Sequence, residues 1–137
     1  MRVALILAIV ALQLSTRLAL ALSEEDKSDR SVALNWLADV DRGKYDEASV
    51  QVTAEVRSFD EWLNYFTTHR APLGRVIKRQ FIEVKHTSVV PGIADVRRFH
   101  VVRFKTSFER APAAIEEVVM AKMGCCSEIF SYTISDR

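Results

Sequence analysis

The hydrophobic periodicity of this chain changes once, at Gly74, and this change constrains the fold more than any other feature. Before Gly74, apolar residues recur at the three- to four-residue spacing of amphipathic helices, and after it they alternate with polar residues as in strands. A chain whose helices all precede its strands favours an α+β fold with the helices packed on one face of an antiparallel sheet. We therefore predict three helices followed by a curved four-stranded antiparallel sheet.

Residues 58–74 predict the central helix of this arrangement. Ser58 and Glu61 have the spacing of a capping box, in which each residue hydrogen-bonds to the other across the first helical turn. Pro72 disfavours a helical conformation of the residue before it, so the helix is predicted to stop at this point and Gly74 to complete the turn. The apolar stripe of the helix is predicted to face the sheet; it consists of Phe59, Trp62, Leu63 and Phe66.

Two further helices are predicted upstream, over residues 31–42 and 45–52. Gly43 separates them, and the polar residues 22–30 before them are predicted to form a flexible lead-in. The inward face of the first helix is predicted to contain Val32, Ala33, Trp36, Leu37 and Val40.

Four strands are predicted over residues 75–86, 96–108, 115–123 and 128–135. The second has the clearest alternation, which indicates an antiparallel strand with one buried and one half-exposed face. Its inward face is predicted to contain His100, Val102, Phe104, Thr106 and Phe108. A basic outer surface, which could meet water or an acidic partner, is predicted to contain Arg79, Arg97, Arg103 and Lys105.

Residues 1–21 have the pattern of a secretory signal peptide. Arg2 precedes an unbroken apolar run over residues 3–12, and small residues flank the predicted cleavage point after Ala21. An uncleaved anchor is the alternative, but the run is short for a membrane span, and Gln13 and Arg17 interrupt its continuation. The protein is therefore expected in the periplasm or outside the cell, with no stable membrane span after cleavage.

The length and charge of the chain limit its function. With 137 residues, it is expected to form one α+β domain over residues 31–137. Its 19 Lys and Arg residues are balanced by 18 Asp and Glu residues, so no electrostatic surface for nucleic acid is expected. Cys125 and Cys126 are adjacent, which excludes the CxxC spacing of thioredoxin-like sites.

The three histidines do not form a metal-binding motif along the chain. His69, His86 and His100 show neither the i, i+4 spacing of a helix face nor the i, i+2 spacing of a strand face, whereas zinc needs three or four convergent ligands. We therefore predict no metal site and no cofactor.

Four residues are predicted to line a concave cavity between the sheet and the helices. His100 and Phe104 share a strand face, Tyr132 lies on the last strand, and Tyr45 could close the mouth from the helical side. An apolar cavity with an imidazole and a phenol would suit an uncharged or weakly acidic organic molecule. The alternative is that these side chains fill the core and leave no cavity.

Four short motifs follow one another along the chain: Trp36-Leu37, Asp41-x-Gly43-x-Tyr45, Arg70-Ala71-Pro72-Leu73-Gly74 and Phe108-Glu109-Arg110. Their order and spacing resemble those of a known family of small exported bacterial proteins. The chain is similar to domain-of-unknown-function family 4019 from about Val32 to the C-terminus, and it departs from the family pattern over residues 123–129. This resemblance implies a cystatin-like layout, as in the nuclear transport factor two superfamily, and it supplies no catalytic residues.

The resemblance also raises an alternative function. Some members of that superfamily are isomerases that use acid–base catalysis in a cone-shaped pocket, where a desolvated carboxyl group is needed. The only carboxylate that the strand pattern offers for the inward face is Glu117. We therefore predict an exported, non-catalytic binding or accessory module for a small apolar ligand, a protein partner or a second copy of the chain. A buried carboxylate beside Tyr45 or Tyr132 would favour the enzyme, and an open groove would favour binding.

Overall fold

The computed structural model describes residues 21–94 and 97–136. The predicted leader, apart from Ala21, and the predicted strand start at residue 96 lie outside these ranges. No helix within them is both long and apolar enough to span a membrane. The elements are α1 (Glu24–Asp41), α2 (Tyr45–Val50), α3 (Phe59–Tyr65), β1 (Val76–Thr87), β2 (Phe99–Phe108), β3 (Ala111–Met123) and β4 (Cys126–Asp136).

The four strands form one antiparallel sheet in the order β1-β2-β3-β4, so the α+β prediction is confirmed. Phe104 pairs with Phe81 of β1 on one side and with Glu116 of β3 on the other. β-Bulges interrupt the register between Phe81 and Glu83 and between Val119 and Met120. Each bulge places an extra residue on one strand and so changes which side chains face inward beyond it.

Helix α1 begins at Glu24, so the predicted flexible lead-in over residues 22–30 and the predicted start at residue 31 are wrong. The Ser23 side chain caps the helix by accepting a hydrogen bond from the Asp26 backbone N–H at 3.1 Å. Acidic residues in the first turn also suit the positive end of the helix dipole. Asp29, which the polar composition placed in the lead-in, is fully buried against the sheet.

The predicted central helix is divided into three parts. Its capping box is confirmed, since the Glu61 N–H donates to Ser58 Oγ at 3.3 Å and the Ser58 N–H donates to Glu61 Oε2 at 2.7 Å. After α3, however, the chain forms a π-helical turn over Phe66–Arg70 and a 3-10 turn over Ala71–Leu73. Gly74 then has a φ of 79°, where a side chain is strained, and a Cβ atom there would lie 2.6 Å from Glu109 Oε2.

The main core lies between the helices and the inner face of the sheet. Trp36 and Trp62 are both buried, as their helical stripes predict, whereas Phe59 and Val32 are 41% and 36% exposed and were wrongly assigned to these stripes. The Trp36 indole N–H donates to the Ala48 carbonyl at 3.1 Å, which ties α1 to α2. From the sheet, Val102, Phe104, Val118, Met120, Ile129 and Tyr132 complete this core.

The outer face of the sheet is partly covered, which corrects the prediction of a half-exposed β2. Phe99 and Phe130 are buried there, with ring centroids 5.1 Å apart. Val90 and Ile93, from the β1–β2 connection, pack against this second cluster. The connection therefore acts as a cover over one end of the outer face, which strand periodicity alone did not predict.

Candidate functional site

The four predicted site residues lie in different surroundings. Phe104 and Tyr132 belong to the main core, and Tyr45 stacks on Phe66 with ring centroids 5.5 Å apart. His100 lies in a separate polar cluster and is fully buried. The cleft described in this subsection is lined by other residues. A ligand-binding role for these four residues stays a prediction that no contact in the structure tests.

The first buried polar group, the Glu116 cluster, contains Asp41, Arg79, Thr106, Glu116 and Tyr132. Glu116 is fully buried, and its Oε1 accepts hydrogen bonds from the Tyr132 hydroxyl at 2.5 Å and from Arg79 Nη2 at 3.1 Å. Its Oε2 accepts from Arg79 Nε at 2.7 Å and from the Thr106 hydroxyl. Arg79 also donates to both carboxylate oxygens of Asp41, at 2.7 and 3.1 Å. The cluster thus joins the C-terminal end of α1 to all four strands of the sheet.

The electrostatics of the Glu116 cluster favour a charged Arg79 paired with the carboxylates of Asp41 and Glu116. Burial alone would lower the pKa of Arg79, but the hydrogen bonds from its guanidinium to Asp41 and Glu116 raise that pKa above its ordinary value. Burial and the adjacent Glu116 charge raise the pKa of Tyr132 well above its ordinary value. Arg79 is therefore a permanent cation, and Tyr132 stays a neutral hydrogen-bond donor.

The second buried polar group, the Asp29 cluster, contains Asp29, His100, Lys122 and Ser127. Asp29 Oδ2 is hydrogen-bonded to His100 Nδ1, and both side chains are completely buried. Asp29 Oδ1 accepts from Lys122 Nζ at 3.0 Å and from the Ser127 hydroxyl at 2.9 Å. Burial acts to raise the pKa of Asp29, but these hydrogen bonds outweigh it and lower the pKa.

Two residues extend the Asp29 cluster towards the surface. His86 of β1 lies directly opposite His100 in the sheet register, and their rings stack with centroids 3.9 Å apart. His86 Nε2 lies 2.6 Å from Asp26 Oδ1, one helical turn before Asp29. Burial acts to raise the pKa of Asp26, and its hydrogen bonds with His86 and Ser23 lower it.

An open cleft of about 590 Å³ lies between α1, the end of α2 and the start of β4. Trp36 and Val32 contribute from α1, and Val50, which is 72% exposed, lies on the opposite side. Asp39 and Glu128 add carboxylates to the lining. The remaining lining residues are Asn35, Gln51, Val52, Thr53, Ser127 and Ile129.

Sequence comparison identifies the family but no activity. The family model described as a protein of unknown function (DUF4019) matches residues 32–124. The chain belongs to this family. Searches of curated proteins and of solved structures found no match. The family match ends at Gly124, within the 123–129 segment where the sequence predicts a departure from the family pattern.

The inward carboxylate of this DUF4019 protein is Glu116 rather than Glu117. Glu117 points to the outer face, where its Oε1 accepts from Arg103 Nε at 3.0 Å. A shift of one residue in the register of a strand moves every side chain to the opposite face of the sheet. The register therefore decides whether Glu116 or Glu117 faces inward. Both faces of β3 contain apolar residues, namely Ile115, Val118 and Val119. The sequence pattern therefore did not show which face of this strand points inward.

The predicted basic surface is also corrected. Arg79 lies inside the Glu116 cluster, with its side chain only 11% exposed. Arg103 pairs with Glu83 at 2.9 Å and with Glu117, and Arg97 pairs with Glu55 at 2.8 Å. The arginines are thus engaged by this protein's own carboxylates, and the surface no longer favours an acidic partner.

Proposed function

We propose that this protein is an exported, non-catalytic binding or accessory module that holds a small organic ligand in the cleft between α1 and β4. The observation that carries the proposal is the cleft itself. Its volume of about 590 Å³ falls within the range of roughly 300–1,000 Å³ that is typical of small-molecule sites. It is open to solvent and lies where two helical segments and a strand end converge.

The cleft lining suggests the chemistry of the ligand. Val32 and Val50, which are 36% and 72% exposed, offer apolar contact in the cleft, which favours a ligand with an apolar body. Asp39 and Glu128 offer hydrogen-bond acceptors, which favour a donor or cationic group at one end of that ligand. This chemistry differs from the uncharged or weakly acidic molecule that the sequence suggested, because the residues that line the cleft are different.

Filling the cleft is expected to abolish binding. Asn35 is exposed in the lining, so Asn35→Trp would place an indole ring in the space. Titration with the neutral apolar dye Nile red is expected to show saturable fluorescence in the natural protein and at least about tenfold weaker binding in Asn35→Trp. The matched control is Leu34→Trp, which adds the same ring at a 39% exposed position outside the lining.

The proposal is wrong if Asn35→Trp binds the dye as tightly as Leu34→Trp does. Circular dichroism of both variants would verify that the fold is retained. Native mass spectrometry of protein purified from its own cell envelope would then identify a co-purified ligand.

A second candidate, acid–base catalysis, is favoured by the buried Glu116 carboxylate beside the Tyr132 hydroxyl. The hydrogen bonding of Glu116 argues against it. A carboxylate has about four lone-pair directions, and Tyr132, Thr106 and two nitrogens of Arg79 supply four donors. With all four occupied, Glu116 has no free position from which to accept a substrate proton. Its role is better explained as a structural ion pair.

Export is a further part of the proposal, supported by the apolar run over residues 3–12 and the small residues before Leu22. We expect cleavage after Ala21 and a mature protein in the periplasm or outside the cell. Intact mass measurement of the protein from the producing cells should give a chain that begins at Leu22. A mature chain that retains Met1 would exclude cleavage and favour an anchored protein.

We also infer a cystatin-like layout, with a curved sheet partly wrapped around the helices. Its support is the order of three helices before a four-stranded meander, together with the β-bulges that interrupt the strand register. A protein partner and a second copy of the chain stay predictions, which analytical ultracentrifugation of the mature protein would test.

A further inference from the structure

We propose that Asp26, His86 and His100 form a binding site for a divalent transition-metal ion such as Zn²⁺, with Asp29 orienting His100 from outside the ligand set. The proposal reverses the prediction of no metal site, which considered only spacing along one helix or one strand. The metal-site proposal does not depend on a ligand in the cleft, and the metal site and the cleft are tested separately.

The fold brings three suitable ligands together from two strands and a helix. His86 and His100 are direct neighbours across the β1–β2 pair, where opposite Cβ atoms lie about 4.5–5.5 Å apart. Asp26 reaches His86 from the first turn of α1. One nitrogen or oxygen atom from each of the three side chains lies within 4.8 Å of the other two. Imidazole and carboxylate are ligands that Zn²⁺ and related ions accept.

The second observation is a buried ring nitrogen with no partner. Among the described residues, no hydrogen-bond partner is found for His100 Nε2, although the side chain is completely buried. Leaving a polar atom buried and unpaired costs roughly 1–3 kcal/mol, so such atoms are rare. A metal ion at Nε2 would provide the missing partner.

The surroundings of His100 set its tautomer in the form that a metal requires. An ionised carboxylate can only accept a hydrogen bond, so Nδ1 is the donor to Asp29, and a neutral ring with this tautomer carries its lone pair on Nε2. Asp29 is itself held in place by Lys122 and Ser127. Metal-bound histidines commonly donate the other ring N–H to a carboxylate in this manner, which fixes the ring and strengthens the ligand.

A modest rearrangement completes the site. Zn–N and Zn–O bonds of about 2.0–2.2 Å place tetrahedral ligand atoms about 3.3 Å apart, closer than the 4.8 Å limit seen here. The stacked rings must also tilt, because both nitrogen lone pairs lie in the ring planes. His86 can make this movement, since its side chain is 47% exposed, while His100 stays fixed by Asp29. Three protein ligands then leave a fourth position for water.

The metal titration requires a protein without other strong zinc ligands. The thiols of Cys125 and Cys126 are both exposed, so the experiment uses the untagged chain with both replaced by serine. Titration with ZnCl₂ by isothermal calorimetry is expected to show one ion per chain. CoCl₂ is expected to give the visible absorption bands of bound cobalt.

Ligand variants provide the decisive comparison. His86→Gln and Asp26→Asn each change a direct ligand and are expected to weaken zinc binding by at least about 100-fold, the upper end of the cost of losing an outer-shell partner. His69→Gln is the matched control, because His69 stacks on Tyr65 elsewhere in the fold, and it should bind as the parent does. Asp29→Asn, at the positioning residue, is expected to weaken zinc binding about tenfold and to shift the cobalt bands.

Two results would overturn the proposal. One is the absence of saturable zinc binding in the cysteine-free parent protein. The other is equal zinc affinity in folded His86→Gln, Asp26→Asn and His69→Gln proteins, which would place any bound ion elsewhere.

Discussion

Replacing Trp62 with alanine is expected to lower the free energy of unfolding by about 3–5 kcal/mol, the usual cost of removing a fully buried large aromatic side chain. Trp62 is completely buried, and its ring packs against Tyr65 and Phe66 with centroid distances of 5.8 and 5.9 Å. Alanine would leave a cavity that these neighbouring rings could only partly fill. Urea unfolding followed by circular dichroism measures the loss.

The matched control for Trp62 is Phe59→Ala, on the same helix. Phe59 is 41% exposed, so its removal leaves no enclosed cavity and is expected to cost less than about 1 kcal/mol. A loss below about 1 kcal/mol for Trp62→Ala would show that the ring is not in the core and that the face of α3 is misassigned.

Replacing Arg79 with methionine is expected to destabilise the domain by about 3–5 kcal/mol, because removal of one partner leaves buried charge without compensation. The side chain of Arg79 is 11% exposed and lies between Glu116, which is fully buried, and Asp41. Methionine retains much of the side-chain volume, so most of the loss would arise from electrostatics. Denaturant unfolding at neutral pH gives the value.

Two further variants distinguish the cost of breaking the Arg79 ion pair from the general cost of removing an arginine side chain. Arg103→Met removes an arginine whose side chain is 29% exposed and is expected to cost only about 0–1 kcal/mol. Arg79→Met/Glu116→Leu removes the orphaned carboxylate and is expected to be more stable than Arg79→Met alone. If Arg79→Met and Arg103→Met cost the same, the Glu116 cluster is not a structural ion pair.

The element order and much of the core were predictable because they depend on local patterns. The switch of periodicity at Gly74 separated helices from strands, and the alternation in β2 identified the inward positions of Val102 and Phe104. Ser58 and Glu61 marked a helix start by spacing alone. Each of these signals lies within a few residues of the feature that it predicts.

The polar clusters were not predictable because their partners are distant in sequence. Asp29 and His100 are 71 residues apart, and Asp29 and Ser127 are 98 residues apart. Asp29 therefore looked like part of a solvated lead-in. In the structure it is buried, and it lies within α1, which begins at Glu24. The cross-strand pair of His86 and His100 becomes visible only when the register of β1 against β2 is known.

The candidate cleft was missed for a related reason. Its lining combines exposed residues that a hydrophobic pattern assigns to the surface, such as Asn35 and Gln51. Such a concavity results from the relative placement of α1, α2 and β4. Sequence periodicity determines which face of each element is buried, but it does not determine that placement.

Both ends of α1 are joined to the sheet, at Asp26 and Asp29 near one end and at Asp41 at the other. Helix ends ordinarily open by themselves and exchange their amide hydrogens rapidly. Here, opening either end would break buried ionic contacts, so the amide hydrogens of α1 should exchange at rates close to those of the central strands. Because these contacts join residues that are far apart in sequence, we expect α1 to dock on the sheet late in folding.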